Sequence, residues 1–193
     1  MLENLQKYSI ILASNSPRRK ELISGLGIDY VVRTLPDIDE SFPEHLSAEE
    51  IPAYICKAKA DAYRTTMATD ELVITADTIV WSEGRVLGKP QDREEAIRMI
   101  RSLSGKSHQV ITGVCLTTQQ TQKTFTSTSE VVFDDLTEEE VAYYVDRFNP
   151  MDKAGAYGVQ EWIGYIGVKF ISGSFYNIMG LPIQRLYQEL KSW

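Results

Sequence analysis

Asp77 and Lys89 are the first residues to weigh as chemistry. They sit in Ala76-Asp77-Thr78-Ile79-Val80-Trp81, continued by Ser82-Glu83-Gly84-Arg85-Val86-Leu87-Gly88-Lys89-Pro90. The preceding run Leu72-Val73-Ile74 is short, β-branched and bounded by charge, which predicts a buried strand with Asp77 at its end. A carboxylate there is costly unless a cation, a donor or water offsets it. A lone aspartate more often caps a turn or pairs structurally. Here the Ser-Glu-Gly-Arg turn folds the chain back and delivers Lys89 twelve residues later. An acid and a base can then share one rim.

A second group lies near the start. Tyr8 to Ala13 predicts a strand buried on both faces, and Ser14-Asn15-Ser16-Pro17-Arg18-Arg19 leads into a helix with Leu22, Ile23 and Leu26 at helical spacing. Ser16 suits the N-cap, Pro17 the first helical position, and Gly27 the end. Arg18 and Arg19 fall in the first turn, where the helix dipole is already positive and favours anions. Ser14 with these arginines is therefore an anion site in outline, with a solvated basic patch as the plainer reading. The loop Pro36-Asp37-Ile38-Asp39-Glu40-Ser41 could ligate a hard divalent cation or simply solvate a turn. Lys59 borders the helical stripe Ile51, Tyr54, Ile55, Ala58, Ala62, where lysines often snorkel. Asp152-Lys153-Ala154-Gly155-Ala156-Tyr157-Gly158-Val159-Gln160 offers polar handles on a backbone small enough for close approach.

Other chemistries fall away. Cys56 and Cys115 lack Cys-x-x-Cys spacing, which suits buried thiols in a reducing compartment better than a disulfide framework or zinc knuckle. His45 and His108 have no helix-spaced partner, so a histidine metal site or triad is not expected. No Walker loop or dinucleotide-binding glycine fingerprint is present. A net charge of −7 argues against a nucleic-acid or membrane surface. No apolar run reaches membrane-spanning length, and Met-Leu-Glu-Asn-Leu-Gln-Lys lacks the order of a signal peptide, so a cytoplasmic protein is expected. In so acidic a chain, polyphosphate needs local cations and a divalent ion. Ser14, Arg18, Arg19, Lys59, Lys89 and Lys153 supply donors and cations at element ends, while Asp77, Glu40 and Asp39 are acids able to hold a metal.

The elements that must position these groups follow from periodicity. A second strand is expected over Ile28 to Val32. A capping box at Ser47-x-x-Glu50 precedes the Ile51 stripe, with regular helix beginning at Pro52. Asp92-x-x-Glu95 opens a helix through Ala96, Ile97, Ile100 and Leu103, ended by Ser104-Gly105. His108–Thr118 and Lys123–Phe133 read as long antiparallel strands joined by Thr118-Gln119-Gln120-Thr121. Thr137-x-x-Glu140 opens a helix stopped by Asn149-Pro150, Ile163 to Ile178 reads as a glycine-broken strand pair, and Pro182 to Lys191 as a closing amphipathic helix. An α/β fold with a mixed, curved sheet is expected.

Five motifs in order carry a resemblance. Ser14-x-Ser16-Pro17-Arg18-Arg19, Ala76-Asp77-Thr78-Ile79-Val80, Gly88-Lys89-Pro90, Leu103-Ser104-Gly105 and Asp152-Lys153-Ala154-Gly155-Ala156-Tyr157-Gly158 together resemble the Maf family of nucleoside triphosphate pyrophosphatases, from Ile11 to about Leu190. The resemblance implies one domain over residues 1–193, with an elongated mixed sheet flanked by helices. It implies a fold similar to the inosine triphosphate pyrophosphatases, with the active site in a cleft between two lobes. The implied reaction cleaves the α–β phosphoanhydride with a divalent cation, Mg²⁺ or Mn²⁺. Asp77 matches the proton acceptor, and Ser14, Arg18, Lys59 and Lys89 match the cluster around the phosphates, with Arg19 counted beside them. Glu40 matches the loop acid that joins Asp77 as metal ligand. Phosphoryl attack needs charge neutralisation and an oriented water, and an ionised Asp77 serves by taking the water's proton or by holding the metal. Both roles stay open.

Arg18, Thr78 and Gln160 resemble the subgroup acting on dTTP and UTP rather than the one acting on 7-methyl-GTP. A glutamine amide can match the O4 and N3–H edge of a pyrimidine, whereas a methylated guanine favours an acid and an aromatic face. Glu161 and Trp162 stand where the family pattern commonly has a small residue. The alternative is a nucleotide-binding regulator, since the family is also associated with inhibition of septum formation in bacteria. An intact Asp77 with both lysines argues for turnover, because a pure binder needs no general base. The implied partner is a nucleoside triphosphate, with no nucleic acid or membrane, and the resemblance allows a homodimer.

Overall fold

The computed structural model describes residues 2–193. Seven strands form one mixed sheet: β1 (Ser9–Leu12), β2 (Val31–Val32), β3 (Glu71–Ser82), β4 (Arg85–Leu87), β5 (Ser107–Thr117), β6 (Gln122–Phe133) and β7 (Val168–Ser172). Their order is β2-β1-β3-β5-β6-β7, with β4 on β3. β1 pairs parallel to both β2 and β3, Ile11 lying opposite Val31 and Val73. β4 and β7 pair antiparallel, to β3 and β6. Helices are α1 (Pro17–Ser24), α2 (Glu50–Tyr63), α3 (Arg93–Leu103), α4 (Glu138–Phe148), α5 (Trp162–Gly167), α6 (Phe175–Ile178) and α7 (Ile183–Lys191). The expected mixed α/β sheet with flanking helices is present.

The chain folds as two compact units. The first comprises residues 1–77, 112–127 and 180–193, and the second residues 78–111 and 128–179. β3, β5 and β6 contribute residues to both.

In the first unit, Leu72, Val73 and Ile74 are fully buried, as their β-branched run predicts. The strand does not stop at Asp77, however. β3 continues to Ser82, so Asp77 lies within a twelve-residue strand rather than at its end. Ile11, Tyr63, Met67 and Val73 form a core against which Leu35 and Ile38 pack. Tyr63 ties down the chain after β2, since its hydroxyl donates to Arg33 O and accepts from Leu35 N–H. β2 is shorter than expected, limited to Val31–Val32. α2 begins at Glu50, before Pro52, because a proline in the first turn lacks only an N–H that has no helical partner anyway. The expected capping box is only half made: the Ser47 amide and hydroxyl both donate to the Glu50 carboxylate, but α2 has Glu49 as its N-cap and no side chain accepts from its first amides. α2 also lies hard against β5. A Cβ on Gly113 would stand 2.3 Å from Pro52 O and 2.7 Å from Ala53 N. Both cysteines are free and buried, and they pack with Ala60.

In the second unit, Asp92 caps α3 by accepting from Glu95 N–H, and Thr137 with Glu140 forms the expected capping box of α4. α4 stops at Asn149 in the left-handed conformation. Residues 163–178 correct the sequence reading: in place of a strand pair they end α5, supply the edge strand β7 and form α6. Tertiary approach decides this. A Cβ on Gly164 would sit 1.8 Å from Val159 O, so glycine lets the α5 turn fold onto the loop before it.

Candidate functional site

In the first unit, helix and strand periods run side by side to place an acid on an ammonium. Thr75 and Asp77 share one face of β3 because strand side chains repeat every two residues. Cys56 and Lys59 share one face of α2, three residues apart. Thr75 Oγ1 donates to Cys56 O at 2.6 Å, and Lys59 Nζ donates to Asp77 Oδ1 at 2.8 Å. The first contact sets the distance at which the second forms. Both side chains of the ion pair are only 13% exposed. Lys59 Nζ also meets Glu40 Oε1 at 3.0 Å. Glu40 arrives because Ile38, two residues earlier, is anchored in the Tyr63 core. Asp77 Oδ2 has no hydrogen-bond donor among the described residues.

Ser14, at the end of β1, is buried and accepts from Ser16 N–H at 3.2 Å. Ser16 caps α1 through Arg19 N–H, as expected. Arg18 lies half-buried in the first turn. Arg19 is placed differently from a free phosphate ligand. Its Nε donates to Gly180 O at 2.8 Å and its Nη1 to Ala76 O at 2.9 Å, so it braces the strand beside Asp77. Desolvation lowers its pKa from the ordinary value, while the Asp77 and Glu40 charges oppose that shift.

A divalent cation fits the acids that the sequence singled out. Glu40 and Asp77 converge on one point, now held by the Lys59 ammonium. Asp39 is turned elsewhere, accepting from the Ser41 amide and hydroxyl, bonds that hold its carboxyl below the usual range. No group of three or more His, Cys, Asp or Glu side chains gathers around a metal position among the described residues. Two oxygen donors suit Mg²⁺, which takes one or two carboxylates and completes its shell with water and phosphate.

In the second unit, Thr78 is half-buried on β3. Lys89 is exposed in a groove of about 460 Å³ that Arg85, Arg98, Met99, Ser102 and Glu95 also line. Gly155 N–H donates to Gly88 O, which joins the 152–161 loop to the residue before Lys89. Lys153 is ion-paired on two sides. Its buried ammonium lies 2.8 Å from Asp152 Oδ1 and 3.1 Å from Glu161 Oε1. Gln160 Oε1 is buried without a hydrogen-bond partner among the described residues. The sequence reading missed Tyr144, whose hydroxyl meets Glu161. Its partner lies 17 residues away on another segment, so no local spacing pointed to it.

Residues 9–193 match the family of Maf-like proteins. The chain belongs to the Maf family. A dTTP/UTP pyrophosphatase of Bacteroides thetaiotaomicron is 74% identical over 191 residues, covering 99% of each chain. Proteins of the same name are 65% identical in Bacteroides fragilis, over 99% of each chain, and 53% identical in Porphyromonas gingivalis, over 100% of this chain and 98% of that one. Among solved structures, a HAM1 protein from Coxiella burnetii aligns with a TM-score of 0.50 over 96% of this chain and 100% of its own, at 14% identity. That likeness shows the inosine triphosphate pyrophosphatase type of fold for this Maf protein.

Proposed function

We propose that this Maf protein hydrolyses dTTP and UTP to the nucleoside monophosphate and pyrophosphate. The observation that carries the reading is the match along 99% of both chains to proteins bearing that name. The first unit supplies chemistry that suits it. Lys59 fixes Asp77 through Oδ1, leaving Oδ2 to orient a water and take its proton as the water attacks phosphorus. The P–O bond to the leaving pyrophosphate breaks, and its charge is met by cations. Ser14, Arg18 and Lys59 are assigned to phosphate from the first unit, and Lys89 from the second. Arg19 holds the Asp77 strand. In the other role open to Asp77, it would hold a divalent ion together with Glu40 while Lys59 turns to phosphate, and that ion would neutralise substrate oxygens and acidify water.

Gln160 is assigned to the base, with Arg18 and Thr78 as further specificity residues. Its buried, unpartnered Oε1 is an acceptor for the N3–H of uracil or thymine, and the amide NH₂ can donate to O4. A buried acceptor left unpaired rejects bases that lack the matching donor. A cytoplasmic setting belongs to the same proposal, since free thiols such as Cys56 and Cys115 persist where disulfides are reduced. Among the described residues no helix is long and apolar enough to cross a membrane.

The test is hydrolysis of dTTP, UTP, CTP, GTP and 7-methyl-GTP at equal concentrations with Mg²⁺ or Mn²⁺, with both products measured. Preferential release of pyrophosphate from dTTP and UTP is expected. Faster turnover of 7-methyl-GTP, or release of single phosphates, would overturn the assignment.

A further inference from the structure

The loop from Asp152 to Glu161 is bonded more heavily than one tight turn requires. Lys153 bridges Asp152 and Glu161. The second oxygen of Glu161 accepts from the Tyr144 hydroxyl, and that hydroxyl accepts from Gly158 N–H at 2.9 Å. One phenol therefore holds both flanks of Gln160, residues 158 and 161. Tyr144 is fully buried and stacked on Phe148, on a helix capped at both ends. The space around these bonds is filled. A Cβ at Gly158 would stand 2.9 Å from Glu161 Cδ and 3.1 Å from Lys153 Cε. Val159 is pinned from its other side by Gly164, and Gly155 is held at φ 68° against Val80.

We infer that Tyr144 and Glu161 are positioning residues that fix the Gln160 amide, and that Lys153 serves the same network rather than phosphate. The inference rests on the proposed reading of the base by Gln160. Its physical content is preorganisation. An amide selects one base edge only if its orientation is set before the base arrives; a loop free to turn would present donor or acceptor to any base. Glu161 stands where the resemblance led us to expect a small residue, so this chain achieves the rigidity with an ion-pair and phenol lock. Lys153 supplies the counter-charge that Glu161 needs to stay largely buried.

Tyr144→Phe removes the shared hydroxyl and keeps the ring, and Glu161→Gln removes the charge and keeps the shape. For each, kcat and KM on dTTP, UTP and CTP are measured together with amide hydrogen exchange over residues 153–161. The preference for dTTP over CTP in kcat/KM should fall by about tenfold, and kcat on dTTP should change less than about twofold. Exchange should quicken in that loop and stay unchanged in α2 and β3, which also shows that the variants fold. A lower melting temperature with unchanged preference would mean a merely structural lock and overturn the inference. So would unchanged loop exchange in both variants. Equal rates on dTTP and CTP by the unaltered protein would instead remove the base reading itself, a failure visible before any variant is made.

Discussion

Lys59 and Lys153 are built alike and end differently. Each is a buried ammonium between one exposed and one largely buried carboxylate: Glu40 and Asp77 for Lys59, Asp152 and Glu161 for Lys153. The difference lies in the buried acid's second oxygen. Glu161 gives it to Tyr144, whose hydroxyl is in turn filled by Gly158 N–H. Asp77 Oδ2 meets no donor among the described residues. An identical ion triplet is thus closed in one unit and open in the other. Closure makes a brace, and openness leaves a base.

The sharpest way to break this comparison is to neutralise the open acid. Asp77→Asn keeps the shape and should cost at least about 10²-fold in kcat on dTTP. Nucleotide binding should survive, since a negative charge facing phosphate is gone. Turnover near the unaltered rate would put both triplets in the same structural class.

Removing the closed ammonium should act on stability instead. Lys153→Met leaves Glu161 buried without its cation and should destabilise the fold by about 4 kcal/mol, read from denaturant unfolding. Lys59→Met strands Asp77 in the same way and should cost comparable stability, but it should also lower kcat on dTTP far more than Lys153→Met does. Equal losses of kcat in the two variants would erase the distinction.

Acid should weaken the closed side in a defined window. His108 is buried against Phe133 and Tyr157, with one ring nitrogen bonded to Tyr157 and the other unpartnered. Burial lowers its pKa from 6.5 to about 4. Between those values the unfolded chain binds the proton that the folded chain refuses. Stability is therefore whole above pH 6.5 and falls as pH drops towards 4, by roughly 3 kcal/mol from this group. His108→Phe should flatten that part of a pH–stability profile. An unaltered slope would show that the ring is not the titrating group.

Much of this was legible beforehand, and the exceptions share a cause. Ser16 with Pro17, Asp92, and Thr137 with Glu140 mark helix starts through local bonds, and the structure keeps all three. Asp77 stood out because a carboxylate interrupts an apolar run. Its place within β3 rather than at the end did not, since periodicity is silent about a single polar break. The pairing of Lys153 with Glu161 runs across a glycine held at positive φ, and the role of Tyr144 arises from another element. Residues 163–178 misled because Ile, Tyr, Val and Phe favour strands, while the close approach at Gly164 that permits α5 is purely tertiary.

Gly113 carries a last consequence, for inheritance rather than for chemistry. The smallest side chain the genetic code can write there, a single methyl, would land within 2.3 Å of the Pro52 carbonyl and push on the start of the helix that holds Lys59 over Asp77. A position with no reactive atom thereby becomes as unforgiving as the acid itself. A lineage drifting in sequence would be free to vary much of its surface while glycine stayed at this position.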